Sequence, residues 1–492
     1  MALRIPSAPS PEENPIAVGT PFERDASLEI LGNEVLTGGH PWRMLRLKGA
    51  RAASSREMLE SGVVPPSHQG LARTLVNYGM IHPQHESALS LSDIDVVIPV
   101  WNNPDGLETL LRSLEGCAVT VVDDASDLAH VHEEIAQRYG ATFLSQPFNA
   151  GPAAARNAGA RAGSRPFIWF LDSDVSVDDL EASVTVLSRH FSDELVAAVA
   201  PRITGRPGHS MLDGFEERHG PLDLGPNRAL VAPGGSVSYV PSASLMLRRS
   251  ALGDGFDETL RTGEDVDFVW RLNQARWLVL YDPSLTLHHE ARATLAEWFA
   301  QRHGYGRSAG PLATRFPDHL APLRVDAMTL MAWVFLALRQ PTLVATTFRA
   351  AQLAMSAKLP DDVEDRDEIA RHVVNKGITR SGGPLARNLL RSFLPLLVAL
   401  LIPRRTRKFA AAVMALGLME RLNIKDLKPY DIPLALLDDA AYSSGVMRSA
   451  IETKNWRVLK PRITYSTISL RELLPGGQRF TAINGHKTST TE

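Results

Sequence analysis

Phe167-Ile168-Trp169-Phe170-Leu171-Asp172-Ser173-Asp174 decides the fold. Five consecutive apolar side chains end abruptly in two carboxylates one residue apart. A continuous apolar run of that length reads as a strand buried on both faces of a parallel sheet. In open α/β sheets, ligands sit just beyond the carboxyl ends of the strands. Two acids at that point place like charges at the rim of a core, which is costly unless something compensates them. A divalent cation with a phosphate-bearing ligand would do so. The plainer alternative is a polar turn, because Asp and Ser favour turns.

Working outward, the same texture repeats. Ile94–Val100 is an apolar run closed by Trp101-Asn102-Asn103-Pro104, and a helix over Leu107–Leu114 follows. Val119–Val122 ends in Asp123-Asp124. A helix through Ile135, a strand near Ala141–Leu144 and an Ala-rich helix from Pro152 to about Ala162 lead into the Phe167 strand. Strand–helix alternation over about eighty residues predicts a mostly parallel sheet. Val196–Pro201, Ser238–Leu247 and Leu278–Leu287 are further strand candidates, and this region is expected to span 92–317.

The chain has 492 residues, enough for two or three domains. Its 44% hydrophobic and 22% charged content describes a folded protein. A net charge of −3 gives no sign of a nucleic-acid partner. The single cysteine, Cys117, excludes an internal disulfide framework and a multi-cysteine metal site, and fits a reducing cytoplasm. No apolar run reaches the ~20 residues of a spanning helix.

Residues 1–26 read as a flexible tail and 27–85 as a small module of short strands and a helix, the size of a winged helix. Residues 318–475 read as a helical region and 476–492 as a polar tail. Arg404-Arg405-Thr406-Arg407-Lys408 separates the apolar segments Ser392–Pro403 and Phe409–Met419. Such a step suits either peripheral attachment to the inner face of a membrane or a bundle packed on its neighbour.

Four clusters could carry chemistry. After Ile98-Pro99-Val100, the acids Asp123-Asp124 could accept from a nucleobase N–H or cap the next helix. Asn149-Ala150-Gly151-Pro152 opens a helix start suited to anions, with Arg156 near it. Asp172 and Asp174 offer oxygen ligands for Mg²⁺ or Mn²⁺. Gly263-Glu264-Asp265-Val266-Asp267 puts three acids in a first helical turn, as favourable capping or as a poised base. His288-His289-Glu290 could add an imidazole to a metal.

Together, Ile98-Pro99-Val100, Asp123-Asp124-Ala125-Ser126, Asn149-x-Gly151-x-x-x-Ala155-Arg156-Asn157-x-Gly159, Leu171-Asp172-Ser173-Asp174 and Gly263-Glu264-Asp265-x-Asp267 resemble the family 2 (GT-A fold) glycosyltransferases over roughly 93–307. The resemblance implies a Rossmann-like domain, a nucleotide-sugar donor, a divalent metal and inversion at the anomeric carbon. Ala125 stands where that family usually has Gly, and His-His-Glu replaces the usual His-Glu-His. Gly38-Gly39-His40-Pro41-Trp42, Pro233-Gly234-Gly235-Ser236 and Asp438-Asp439-Ala440-Ala441-Tyr442-Ser443-Ser444-Gly445 narrow it further. This wider set is similar to the mycofactocin biosynthesis glycosyltransferases. These imply β-1,4-linked glucose added from UDP-glucose to a peptide-derived redox cofactor, and an N-terminal domain like the winged-helix peptide-recognition domains.

Carried onto this chain, the resemblance implies Asp265 as base with Glu264 beside it, and Asp123 reading the uracil. Pro99, Val100, Asp124, Asn149, Gly151, Arg156 and Asp172 would complete the donor side. Asp174, Asp172 and His289 would hold the metal, His289 by its spacing to Trp298. Gly235, Tyr239, Trp270 and Arg302 are expected on the acceptor side. A transferase of lipid-linked or cell-surface polysaccharide synthesis and a non-catalytic peptide-binding protein are the rival readings.

Overall fold

The computed structural model describes residues 3–47, 51–86 and 89–464, so the polar tail at 476–492 lies outside the described residues. At its centre is one nine-stranded sheet. In chain order its strands are β1 (Ile94–Val100), β2 (Ala118–Asp123), β3 (Thr142–Ser145), β4 (Phe167–Leu171), β5 (Val175–Ser176), β6 (Val196–Gly205), β7 (Ala229–Leu230), β8 (Ser244–Arg248) and β9 (Leu278–His289). They lie in the order β5-β9-β6-β8-β4-β1-β2-β3, with β7 also pairing with β9.

The strands β3, β2, β1 and β4 are all parallel, as strand–helix alternation requires. Every side chain of β4 is buried, which is what its unbroken apolar run demands. Antiparallel β8 then interrupts the parallel order between β4 and β6, while β6 and β9 are parallel to each other. The strand expected over Ser238–Leu247 is shorter than predicted. Pairing begins only at Ser244, because Pro241 cannot donate to a ladder and Pro233-Gly234-Gly235 favours irregular backbone. Of the six residues lost from that strand, Ser238, Tyr239, Pro241, Ser242 and Ala243 line a cleft instead, while Val240 is buried in the core.

The N-terminal module contains the antiparallel strands Glu29–Leu31, Val35–Gly38 and Arg43–Arg46, and the helices Arg51–Ser61 and Gln69–Asn77. Phe22–Arg24 pairs with Ile81–Pro83 and closes it. The stretch before it was expected to be loose, yet it is strapped to the body. The backbone N–H of Ala8 donates to Ala275 O at 2.9 Å, the Trp277 indole to Pro6 O at 2.7 Å and Arg73 Nε to Asn14 O at 2.6 Å. Ile16 is buried.

Beyond the sheet come the helices Ala327–Ala337, Pro341–Ser356, Arg366–Arg380, Gly382–Leu400, Arg407–Arg421 and Asp431–Glu452. Among the described residues no helix is long and apolar enough to cross a membrane. The last of them crosses the helix Leu295–Arg307 backbone to backbone. A Cβ on Gly306 would stand 2.1 Å from Tyr442 O, and one on Gly445 2.0 Å from His303 O, so only glycine fits either position.

Candidate active site

A cleft of about 4360 Å³, open mouth included, runs along the carboxyl ends of β1, β2 and β4 and under the C-terminal helices. The helix Pro152–Ala162 brings in Arg156, and the helix Glu264–Gln274 opens on the cleft with its acids. Arg156 Nη2 donates to Asp172 Oδ1 at 2.5 Å, and Nη1 donates to Glu264 Oε1 at 3.0 Å. Its guanidinium lies 5.7 Å from the Phe256 ring centroid and is almost wholly buried. The sequence placed Arg156 on the nucleotide. In the structure, its two terminal nitrogens are spent on joining the end of β4 to the start of the acidic helix.

These contacts set the charges. Burial alone would lower the Arg156 pKa, but Asp172 and Glu264 more than offset it and drive it up. Burial and the neighbouring Asp265 push Glu264 up to about 7 despite Arg156. Asp265 is raised as well, mainly by burial, although the Val266 N–H donates to its Oδ1 at 2.7 Å. A carboxyl raised in this way is a better proton acceptor once ionised. Burial would raise Asp174 too, but His289 and Arg292 outweigh it and bring the group down to about 2.

His289 and His288 point to opposite faces of β9, as successive strand residues must. His289 Nε2 lies 3.2 Å from Asp174 Oδ2, whereas His288 Nδ1 meets Thr204 Oγ1 at 3.0 Å. Of the two, His289 shares the cleft with Asp174. Arg292 Nη2 lies 3.5 Å from the same carboxylate.

Asp123 does not reach the cleft. Its side chain is fully buried, with Oδ1 at 2.7 Å from His132 Nδ1 and Oδ2 accepting from the Ser126 N–H at 3.0 Å. It is Asp124 that lines the cleft, where its two oxygens accept from the N–H groups of Ala150 and Gly151 at 2.7 and 2.8 Å. Asp123 therefore shapes the turn, and Asp124 is the acid of the pair that faces the cleft. Pro99, Val100, Asn149 and Gly151 all line the same wall.

On the far wall, Gly235, Tyr239 and Trp270 face the cleft as expected. Arg302 does not. It is 1% exposed, donates to the Glu216 carboxylate, stands 3.3 Å from Asp438 and stacks on Trp298. Its work is to bind the helix Leu295–Arg307 to its neighbours. The module reaches this wall too. His40 Nε2 lies 3.2 Å from a buried Asp25 oxygen and its Nδ1 3.0 Å from the Ser236 hydroxyl.

Several cleft residues escaped the sequence reading. Arg261 donates to Asn149 Oδ1 and O at 2.7 and 2.8 Å, and Asn103 donates to Ser173 O at 3.3 Å. Arg292, three residues after His289, and Arg261, two before Gly263, sit close enough to the motifs to have been suspected. Arg391 carries no local signal, whereas Tyr442 lies within the Asp438–Gly445 motif and Tyr305 three residues after Arg302.

The model described as Glycosyl transferase family 2 matches residues 95–256. The pre-mycofactocin glycosyltransferase of Mycobacterium tuberculosis (strain ATCC 25618 / H37Rv) is 36% identical over 475 residues, covering 90% of this chain and 98% of that protein. A poly-beta-1,6-N-acetyl-D-glucosamine synthase of Staphylococcus aureus (strain MSSA476) is 22% identical over 50% of this chain and 64% of its own length. Among solved structures, a mannosyltransferase from Pyrobaculum calidifontis in complex with GDP-Man and Mn²⁺ aligns over 69% of this chain and 90% of its own. Its identity is 15% and its TM-score 0.36, which says nothing about substrate. With more than a third of positions shared along almost its whole length, the chain belongs to the pre-mycofactocin glycosyltransferases, built on a family 2 domain of GT-A fold.

Proposed function

We propose that this glycosyltransferase moves glucose from UDP-glucose onto pre-mycofactocin in a single inverting displacement, with Asp265 as the base. One observation carries the reading. Asp265 has a raised pKa and faces the same cleft as the Asp172–Asp174 pair at the end of β4. Asp265 takes the proton of the acceptor hydroxyl as its oxygen bonds to the anomeric carbon and the bond from that carbon to the diphosphate breaks. An α-linked donor then yields a β-glycoside and UDP. Arg156 holds Asp172 and Glu264 in register, and Arg261 and Arg292 are cations set to meet the diphosphate. The same reading gives the N-terminal module the role of a winged-helix-like peptide reader.

Asp174 and His289 supply one oxygen and one nitrogen 3.2 Å apart. Among the described residues, no three His, Cys, Asp or Glu side chains form a cage sufficient for a metal ion. Two protein ligands suit Mg²⁺ or Mn²⁺, which complete their shells with phosphate oxygens and water. Asp172, engaged by Arg156, stands behind them. Such a cation would supply neutralisation of the departing nucleoside diphosphate.

Purified protein incubated with UDP-glucose, pre-mycofactocin and Mg²⁺ tests the reading by mass spectrometry and by the anomeric coupling of the product. A hexose added in β linkage, lost with EDTA, is expected. An α-linked product would reject the single displacement, and transfer from GDP-mannose but not UDP-glucose would reject the donor.

We infer further that the enzyme docks peripherally on an anionic bilayer. Leu396, Val398, Ile402 and Phe409 are exposed around the turn that carries exposed Arg404, Arg405, Arg407 and Lys408. Apolar side chains beside a cationic step match a negatively charged lipid surface. Co-sedimentation with phosphatidylglycerol vesicles, weakened by salt and absent with phosphatidylcholine, is the expected result. Equal recovery with both lipids would reject it.

A further inference from the structure

The far wall of the cleft holds an arginine that no carboxylate bonds among the described residues. Four arginines, Arg302, Arg387, Arg391 and Arg421, gather on the inner side of the helical region. Glu216 and Asp438 pair with Arg302, Asp438 and Asp439 with Arg421, and Asp439 takes Arg387 Nη1 on both oxygens at 2.8 Å. Three carboxylates thus face four guanidinium groups, and the one left over is Arg391. It feels Asp438 and Asp439 from a distance, yet among the described residues no hydrogen-bond acceptor takes its N–H groups.

Arg391 is also the one of the four that lines the cleft. Its guanidinium lies 4.0 Å from the centroid of the Tyr442 ring, a stack that fixes the plane and leaves the edge donors free. Tyr239 lines the cleft within reach of its charge, and Tyr305 lines it near Tyr239. The charges of Asp265 and Arg391 both act on the Tyr239 hydroxyl, so Tyr239 lies near the base and near this cation. Glu420, a carboxylate that also lines the cleft, sits beside Gly383, whose backbone is two turns of helix and about 12 Å back from that of Arg391. Free N–H donors on a rigid planar fork, held among tyrosine rings, suit a flat pair of oxygens carried next to an aromatic or apolar body.

We propose that Arg391, stacked on Tyr442 and near Tyr239, is the subsite for the acceptor's head group, a planar oxygen pair such as a carboxylate or a dicarbonyl. It thereby turns the acceptor hydroxyl towards Asp265. The inference rests on the reading of this cleft as a glycosyl-transfer site and names what its acceptor half recognises. A sugar-binding role for the same wall would depend on hydroxyl groups and stacking rather than on the cation, and the experiment separates the two.

Arg391→Met keeps the stem and removes the fork. It is expected to raise the KM for pre-mycofactocin about tenfold or more, the size of one lost bidentate charged contact, while calorimetric affinity for UDP stays within twofold. Arg391→Lys, which keeps the charge without the fork, is expected to fall between. Phenylpyruvate, an aromatic body with an oxygen pair, should compete with the acceptor in the wild type and lose that effect in Arg391→Met. 2-Phenylethanol, lacking the pair, should not compete with either protein.

An unchanged acceptor KM in Arg391→Met overturns the proposal. So does a parallel loss of UDP affinity, and so does equal competition by 2-phenylethanol. If the wild type transfers no sugar, the functional reading falls. The subsite is then decided by calorimetry, where equal affinity of wild type and variant for pre-mycofactocin would reject it. Should Arg391→Met fail to fold, Arg391→Lys carries the same test at smaller amplitude.

Discussion

The two halves of the cleft manage charge differently. On the donor side, Asp172, Asp174, Glu264 and Asp265 crowd around Arg156, His289 and Arg292, and three of the acids have raised pKa values with Asp174 held down near 2. That balance is incomplete without a ligand. On the helical side, Glu216, Asp438 and Asp439 are matched by arginines inside the protein, and Arg391 is left at the surface of the cleft. Charge that awaits a ligand is kept near the surface where it reacts, and charge that serves the fold is paired and buried.

The sharpest test of that division is Asp265→Asn. Loss of the base should lower turnover by roughly 10²–10⁴ while UDP binding persists, read by steady-state kinetics and calorimetry. Turnover near wild type would move the base elsewhere. Arg302→Met tests the other half, because it takes the cation from Glu216 and leaves Asp438 to Arg421 alone. Stability should fall by about 3–5 kcal/mol in urea unfolding. A variant that instead kept its stability and lost acceptor affinity would return Arg302 to the cleft.

Glu264 offers a pH-dependent test. Its pKa of about 7 lies above the 4.5 of an exposed glutamate, so between those values the folded state holds the extra proton. Stability must therefore decline as pH rises from about 4.5 to about 7 and level off beyond. Glu264→Gln should flatten that decline in urea midpoints taken at several pH values; an unaltered slope would assign it to another group. The smallest effect expected is at Ala125, which sits at φ 56° in the turn after β2. A left-handed conformation costs a non-glycine residue ~1–2 kcal/mol. Ala125→Gly, after its own loss of chain entropy, should stabilise by about 0.5–1 kcal/mol in the same assay, and a destabilised variant would show that the turn bears no strain.

The donor half was legible because its signals are local. The run Phe167–Leu171 and the helix Pro152–Ala162 match the observed elements at both ends, since apolar continuity and a Gly-Pro start are read within a few residues. Even there a register question escaped: which of Asp123 and Asp124 faces the cleft depends on how β2 is pleated, and the buried one is held by His132, a turn into the next helix. Ser238–Ala243 read as the start of a strand, but Pro241 keeps it out of the sheet. The helical half was not legible at all in its details. Arg302 could be taken for a ligand-facing residue because its partners, Glu216 and Asp438, lie far away in the chain. Arg391 acquires meaning only beside Tyr442, on another helix.

The crossing at Gly306 and Gly445 has a consequence for how such a protein can change. Two helices that touch through their backbones tolerate no spacer between them, and the ion pairs beside the crossing tie Glu216 of the sheet domain to Asp438 of the last long helix. A chain ended after Phe316 would leave Arg302 half unpaired and the back of its helix wet. The acceptor wall is therefore not a lid that can be traded for another by recombination at that boundary. New acceptor preferences have to arise by substitution within helices already in place, one side chain at a time.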